Sequence, residues 1–234
     1  AVTAVQFDQN GIVYVAGYIT TGGLEQSGGA MLEEFGGSVD AFLAKLDPRQ
    51  AGGASLVYFT FFGGSGEDRA KALALDASGF IYLAGSTTSS NFPLAGATPQ
   101  TAPGSTETPD AFVVKLHPAL NGTESLFYST FLGGSAADEA TGIAVDAGGA
   151  IYVAGTTRSE DFPLTSAPAQ GARWGGQDGF VAKIVPDASP SLVYSSFFGG
   201  NSYDTAEAIA VTPGGQVYLA GSTISPEFPW TGVP

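Results

Sequence analysis

The chain of 234 residues has no cysteine, a single histidine and methionine, and eight basic residues against 22 acidic ones. Each scarcity removes a class of explanation. Without cysteine there is no disulfide framework. The compartment stays open, because cysteine-free chains tolerate oxidising surroundings as well as the cytosol. A net charge of −14 argues against nucleic-acid binding, which needs clustered Lys and Arg to meet phosphates. No run of about 18 apolar residues occurs, so no membrane-spanning segment is expected. A charged segment leading into an apolar one is also missing, as is an initial Met, and a processed product or an excised piece is the expectation.

What the chain does have is glycine (34 residues), proline (14) and a 44% share of hydrophobic residues. That suffices for a sizeable core cut into many short segments. The segments repeat. FFGGSGEDRAKALALDASGFIYLAG from Phe61 returns as FLGGSAADEATGIAVDAGGAIYVAG from Phe131 and as FFGGNSYDTAEAIAVTPGGQVYLAG from Phe197. The spacing from Gly64 to Gly85 recurs from Gly134 to Gly155 and from Gly200 to Gly221. A copy shortened at its front, TAVQFDQNGIVYVAG, opens the chain. Such periodicity decides the architecture before any motif is interpreted.

Each repeat holds four strand-like segments. The first is 72–76, 142–146 or 208–212, where small residues alternate with large ones. The second is 12–18, 81–87, 151–157 or 217–223. Between the two lie DASGF, DAGGA and TPGGQ, hairpin turns in which Gly supplies a positive φ. The third is 40–46, 110–116 or 178–184, and the fourth is 56–62, 126–132 or 192–198. β-Branched and aromatic residues dominate, both faces are apolar, and no segment has helical length. Strands with two apolar faces must be covered on both sides. The expected fold is therefore all-β, a β-propeller of four-stranded antiparallel blades with the small-residue strand nearest the axis. A stack of sandwiches or a β-solenoid is the competitor, and a solenoid would want shorter repeats and connections.

The string GGS-x-x-D, IAVD-x-x-G-x-IYVAG, S-x-[DN]-FP, D-x-FVAKL and LVYST-[FY]-LGG resembles the bacterial SBBP repeat, named for a seven-bladed β-propeller. The hairpin of the first two segments is more distantly similar to NHL-type blades. The resemblance implies a secreted or surface-attached bacterial protein with repeats set in long chains; it implies no reaction and carries over no active-site residues. Blades are expected at about 2–64, 65–134 and 135–200, followed by a half blade at 201–234, within one propeller segment covering 1–234. Propellers close with roughly 4–8 blades, so the expectation is an arc, either cut from a larger ring or completed by self-association or a partner. The first repeat departs from the pattern, with Leu24 and Glu25 where others have Phe-Pro.

Residues present in every repeat are explained first by the blade. Asp68, Asp138 and Asp204, four positions after each Gly-Gly, are expected to accept backbone N–H groups in a turn. The alternative makes them oxygen ligands of calcium, the one cofactor considered, although no D-x-D-x-D-G loop is present. Lys45, Lys115 and Lys183 occupy one repeated slot and are expected to form salt bridges at blade edges. His117 is replaced by Asp or Val in sister repeats and is expected to be a loop residue, with no Ser-His-Asp set around it. The Gly-Gly pairs are expected to be turn glycines and not phosphate loops. Phe92, Phe162 and Phe228, each before Pro, are expected to pin the long loops to the blades.

The same connections carry Trp174, Trp230, Arg158 and Arg173, and Trp174 and the two arginines do not recur in the other complete loops. Aromatic rings beside polar loop groups suit carbohydrate or protein contacts, so these four are the candidate ligand-binding residues, with a protein or glycan as partner. The function expected is a non-catalytic extracellular module, binding or structural. Two alternatives remain: a polysaccharide-active enzyme with acids gathered on one propeller face, and a spacer that binds nothing.

Overall fold

The computed structural model describes residues 1–20, 35–189 and 191–228. The first sheet holds β1 (Val2–Phe7), β2 (Val13–Ile19), β3 (Asp40–Leu46) and β4 (Leu56–Phe62). The second holds β5 (Asp68–Leu75), β6 (Ile81–Thr87), β7 (Asp110–Leu116) and β8 (Leu126–Leu132). The third holds β9 (Asp138–Val145), β10 (Ile151–Thr157), β11 (Asp178–Ile184) and β12 (Leu192–Phe198). A two-stranded sheet of β13 (Ala208–Val211) and β14 (Val217–Ala220) completes the set. Strand order within each sheet follows the chain, and paired strands are antiparallel. The molecule is all-β, with three full blades and one half blade in an incomplete propeller.

The hairpin between first and second strands forms as its residues dictate. Gly79, Gly149 and Gly215 adopt φ of 87°, 79° and 79°, which only glycine tolerates without strain. In the second blade the Asp76 carboxylate accepts the N–H groups of Ser78 and Phe80. The third and fourth strands occupy the residues expected of them. The first strand starts earlier than expected in two blades, at Asp68 and Asp138, because a β-bulge carries the pairing past the small-residue segment. The second strand of the half blade stops at Ala220, short of the expected 223. Two 3₁₀ turns that the pattern did not announce, Gly52–Ser55 and Gly122–Ser125, lead into β4 and β8.

Alternation sends each blade's residues to two neighbours. Tyr14, Leu43, Tyr58 and Phe62 of the first blade bury against Ile81, Leu83, Val114 and Leu116 of the second. The opposite face of the second blade, Tyr82, Val113, Tyr128 and Leu132, buries against Ile151, Val153, Ala182 and Ile184 of the third. The cores therefore lie between sheets. Neighbouring first strands rest on one another, β1 on β5, β5 on β9 and β9 on β13. This crowding is what their alternating Ala residues accommodate.

Candidate functional site

The repeated aspartates come first, because they build the loops. Asp68 Oδ2 accepts the Gly64 N–H at 2.8 Å and the Ser89 hydroxyl at 2.7 Å, while Oδ1 accepts the Thr87 hydroxyl. Asp138 accepts Gly134 N–H at 2.7 Å and Ser159 Oγ–H at 2.8 Å. Asp204 does the same with Gly200 at 2.7 Å and Ser225 at 2.8 Å. All three are fully buried. Asn91 and Asp161 add a clasp by accepting both N–H and O–H of Ser65 and Ser135. Each knot thus ties the turn entering a blade to the loop leaving its second strand. Among the described residues, no group of three or more His, Cys, Asp and Glu is placed to hold a metal ion. Glu67 meets Arg69, and Glu139 meets Lys71 of the neighbouring blade.

These knots explain the Gly-Gly pairs better than turn conformation does, since neither glycine of a pair has a positive φ. A Cβ on Gly64, Gly134 or Gly200 would fall 2.8, 2.7 or 2.6 Å from the Cβ of Ser89, Ser159 or Ser225. The loop lies where a side chain would be. The recurrent Ser-x-[Asn/Asp/Glu]-Phe is therefore half of a carboxylate knot as well as a plug. Its plug role is plain in Phe92 and Phe162, 4% and 3% exposed. Phe162 packs on Phe180 at 4.5 Å between ring centres, and Phe92 on Phe112 at 4.7 Å.

A second buried carboxylate opens each third strand and fixes the far end of the long loop. Asp40 accepts N–H bonds from Gly36 and Gly37. Asp110 accepts the Gly104 N–H at 2.7 Å and the Gln100 side chain at 3.3 Å. Burial, with the charges of Asp138 and Asp161 nearby, pushes its carboxyl up to about 7 against the pull of the Gly104 N–H. Asp178 accepts the N–H groups of Trp174 and Gly175, each at 3.0 Å, and the Gln170 side chain.

That last carboxylate positions the candidate ligand-binding loop. With its backbone N–H held by Asp178, Trp174 presents a side chain to solvent, the residue being 57% exposed. Arg173 is largely covered, donating to the Gly175 carbonyl and reaching Glu160 at 3.4 Å. Arg158, exposed, donates from Nε to Gln177 at 3.1 Å. Tyr203, 53% exposed, lies over Gly176 and bridges by backbone to Gln177. Arg158, Arg173 and Trp174 thus share one loop system, to which Tyr203 belongs although its sequence position gave no sign of it. Trp230, Leu24 and Glu25 lie outside the described residues.

Among the described residues the repeated lysines form none of the salt bridges expected of them. Lys45, Lys115 and Lys183 sit over the rings of Tyr14, Tyr82 and Tyr152 at 5.5, 5.7 and 4.8 Å, and Lys115 also over Phe80 at 4.4 Å. Register sets this up, because Lys45 pairs with Tyr14 on one side and Tyr58 on the other. The nearby acid bonds the tyrosine: Tyr82 and Tyr152 donate to Asp76 and Asp146 at 2.9 and 3.0 Å. His117 packs edge-on against Phe80 and accepts the Ala119 N–H, a loop role.

Two stretches of the chain, 57–93 and 128–163, match the SBBP β-propeller repeat family. Each runs from a fourth strand across a blade junction to the plugging Phe, and so spans one carboxylate knot. No curated protein matches the chain. A repeat module of propeller type, of the kind that serves binding or structural roles, is what fold and family match together support. No helix among the described residues is long and apolar enough to cross a membrane.

Proposed function

We propose that this chain is a non-catalytic module of a secreted or surface-attached bacterial protein, recognising an extracellular glycan or protein through the loop carrying Arg158, Arg173 and Trp174. The observation behind it is the presentation of Trp174. Its backbone is held by a buried carboxylate while its ring stays in solvent. Holding a large ring exposed on an ordered loop makes sense where the ring will later cover a ligand, since rigid aromatic anchors lose little entropy on binding. The localisation rests on the family resemblance alone.

The enzymatic alternative is less well supported. Asp110, whose carboxyl is pushed up to about 7, is sealed within a blade junction, where no substrate reaches it. A glycan array probed with the chain, followed by titration of tryptophan fluorescence with any retained sugar, tests the reading. Trp174→Ala is expected to weaken binding at least tenfold with unchanged melting. Equal binding by that variant overturns the loop's role.

A further inference from the structure

Eight basic residues serve a chain of net charge −14, and seven of them are matched to an acid or an aromatic ring. Lys45, Lys115 and Lys183 sit over rings. Arg49, Arg69 and Lys71 meet Asp47, Glu67 and Glu139, and Arg173 meets Glu160. Arg158 is the exception. Among the described residues its guanidinium meets neither an acid nor a ring face, and Gln177 takes only the Nε–H, at 3.1 Å. That bond sets the direction of the side chain and leaves both Nη groups to solvent. The two acids that follow Arg158 do not claim it, since Glu160 is met by Arg173 and Asp161 accepts from Ser135.

The anchor of Arg158 leads to two exposed rings. The Gln177 carbonyl accepts the Asp204 N–H at 2.9 Å, which brings Tyr203 alongside. The Tyr203 ring lies over Gly176, where the place of a Cβ is 3.2 Å from Cζ and 3.3 Å from the hydroxyl oxygen. On the other side of Gly175 stands Trp174, its backbone fixed on Asp178. Both aromatic residues are more than half exposed. The turn at 200–204 and the loop at 222–226, which border this surface, are in place, and the Ile224 N–H donates to the Tyr203 carbonyl at 3.1 Å.

Flat rings in solvent offer apolar faces for stacking, and a guanidinium offers paired donors in a plane. A peptide would instead need packed pockets for its anchoring side chains. A carboxylate fits the single fork with its two oxygens, whereas a phosphate or sulfate brings a third acceptor oxygen for which no second free cation stands here. We propose that the Trp174 loop recognises a uronic acid unit of an extracellular glycan. Its carboxylate pairs with Arg158, the C–H face of the sugar covers Trp174, and Tyr203 borders the site. This rests on the reading of the loop as a recognition surface and adds the class of ligand. An isolated acidic unit suits it better than a run of them, because the net charge of the chain repels a polyanion.

The probes are oligosaccharides ending in glucuronate, galacturonate or mannuronate, each beside its carboxyl-reduced form, titrated into the full chain by calorimetry. At least one uronate is expected to bind saturably, with its reduced form at least tenfold weaker. Arg158→Gln should abolish that preference while leaving the reduced sugar and the melting temperature unchanged. Arg158→Lys, which keeps the charge without the fork, should restore only part of it. Trp174→Ala should weaken both forms. Equal binding of acid and reduced forms, lost together in Trp174→Ala, overturns the uronate and leaves the recognition loop standing. A uronate preference that survives Arg158→Gln also overturns it, as does an acidic peptide that binds through Arg158 where all three uronates fail. If no glycan or protein binds through Trp174 at all, the recognition reading falls and the uronate with it.

Discussion

A methyl group is enough to test the knots. In Gly134→Ala the new Cβ meets Ser159 Cβ at 2.7 Å and also the Asp161 carboxylate, so loop and turn must separate. The expected loss is about 1–3 kcal/mol, measured as a lower urea midpoint with unchanged slope. Lys115→Met keeps the apolar stem but removes the charge above Phe80 and Tyr82. A cost of about 0.5–1 kcal/mol is expected from equilibrium unfolding of the variant beside the wild type. At this scale the sequence revealed positions more readily than partners. Recurrence marked Asp68, Asp138 and Asp204, but their hydroxyl donors lie 19 to 21 residues away, across a hairpin that must form first. Recurrence likewise marked the slot of each Lys, while the tyrosine beneath it depends on register.

At the scale of elements the plugging phenylalanines differ in burial. Phe162→Ala, where the residue is buried, is expected to cost about 3–5 kcal/mol by denaturant titration. Phe228→Ala, where the residue is half-buried against Phe198, should cost less than half as much, and equal costs would contradict that difference. The strands were legible because the alternation of apolar residues on both faces admits only covered β-sheet. The early start of β5 and β9 was not, since a bulge is a local shift in pairing that periodicity does not record. β14 is short where, among the described residues, it pairs with β13 alone and its last residues meet no second ladder.

For the whole molecule, proton affinity sets the working range. Asp110, held up to about 7, favours the neutral carboxyl in the folded state over the unfolded chain, where it ionises near the ordinary value of about 3.9. Its contribution is therefore complete below about pH 4 and lost as pH rises through 7. Burial shifts Asp68 and Asp138 in the same direction, against the donors that hold them. Asp161, drawn down by the Ser135 N–H and hydroxyl, works the other way. So does Asp146, where burial is outweighed by the Ala150 N–H, the Tyr152 hydroxyl and Lys183 among others. Both lose their contribution as pH falls below the carboxylate range. Stability should peak in mildly acid solution. Calorimetry from pH 4 to 8 is expected to show a melting temperature that falls between about pH 5 and 7 and levels above that, and Asp110→Asn should flatten that fall while changing little at pH 4. A melting temperature that climbs steadily to pH 8 would contradict the raised carboxyl of Asp110 at the junction.

Each carboxylate knot ties the turn between two blades to a loop of the later one, and the Gly-Gly pair before it is nearly the same from repeat to repeat. A gene duplication or unequal crossover at such a pair would insert a blade whose entering face and exit turn both already match. Because the segments 65–134 and 135–200 present interchangeable ends, the array can lengthen or shorten by whole cassettes without redesigning an interface. Unequal loop lengths between cassettes, and a lone Trp174 on one of them, are the variation such a mode of growth leaves free.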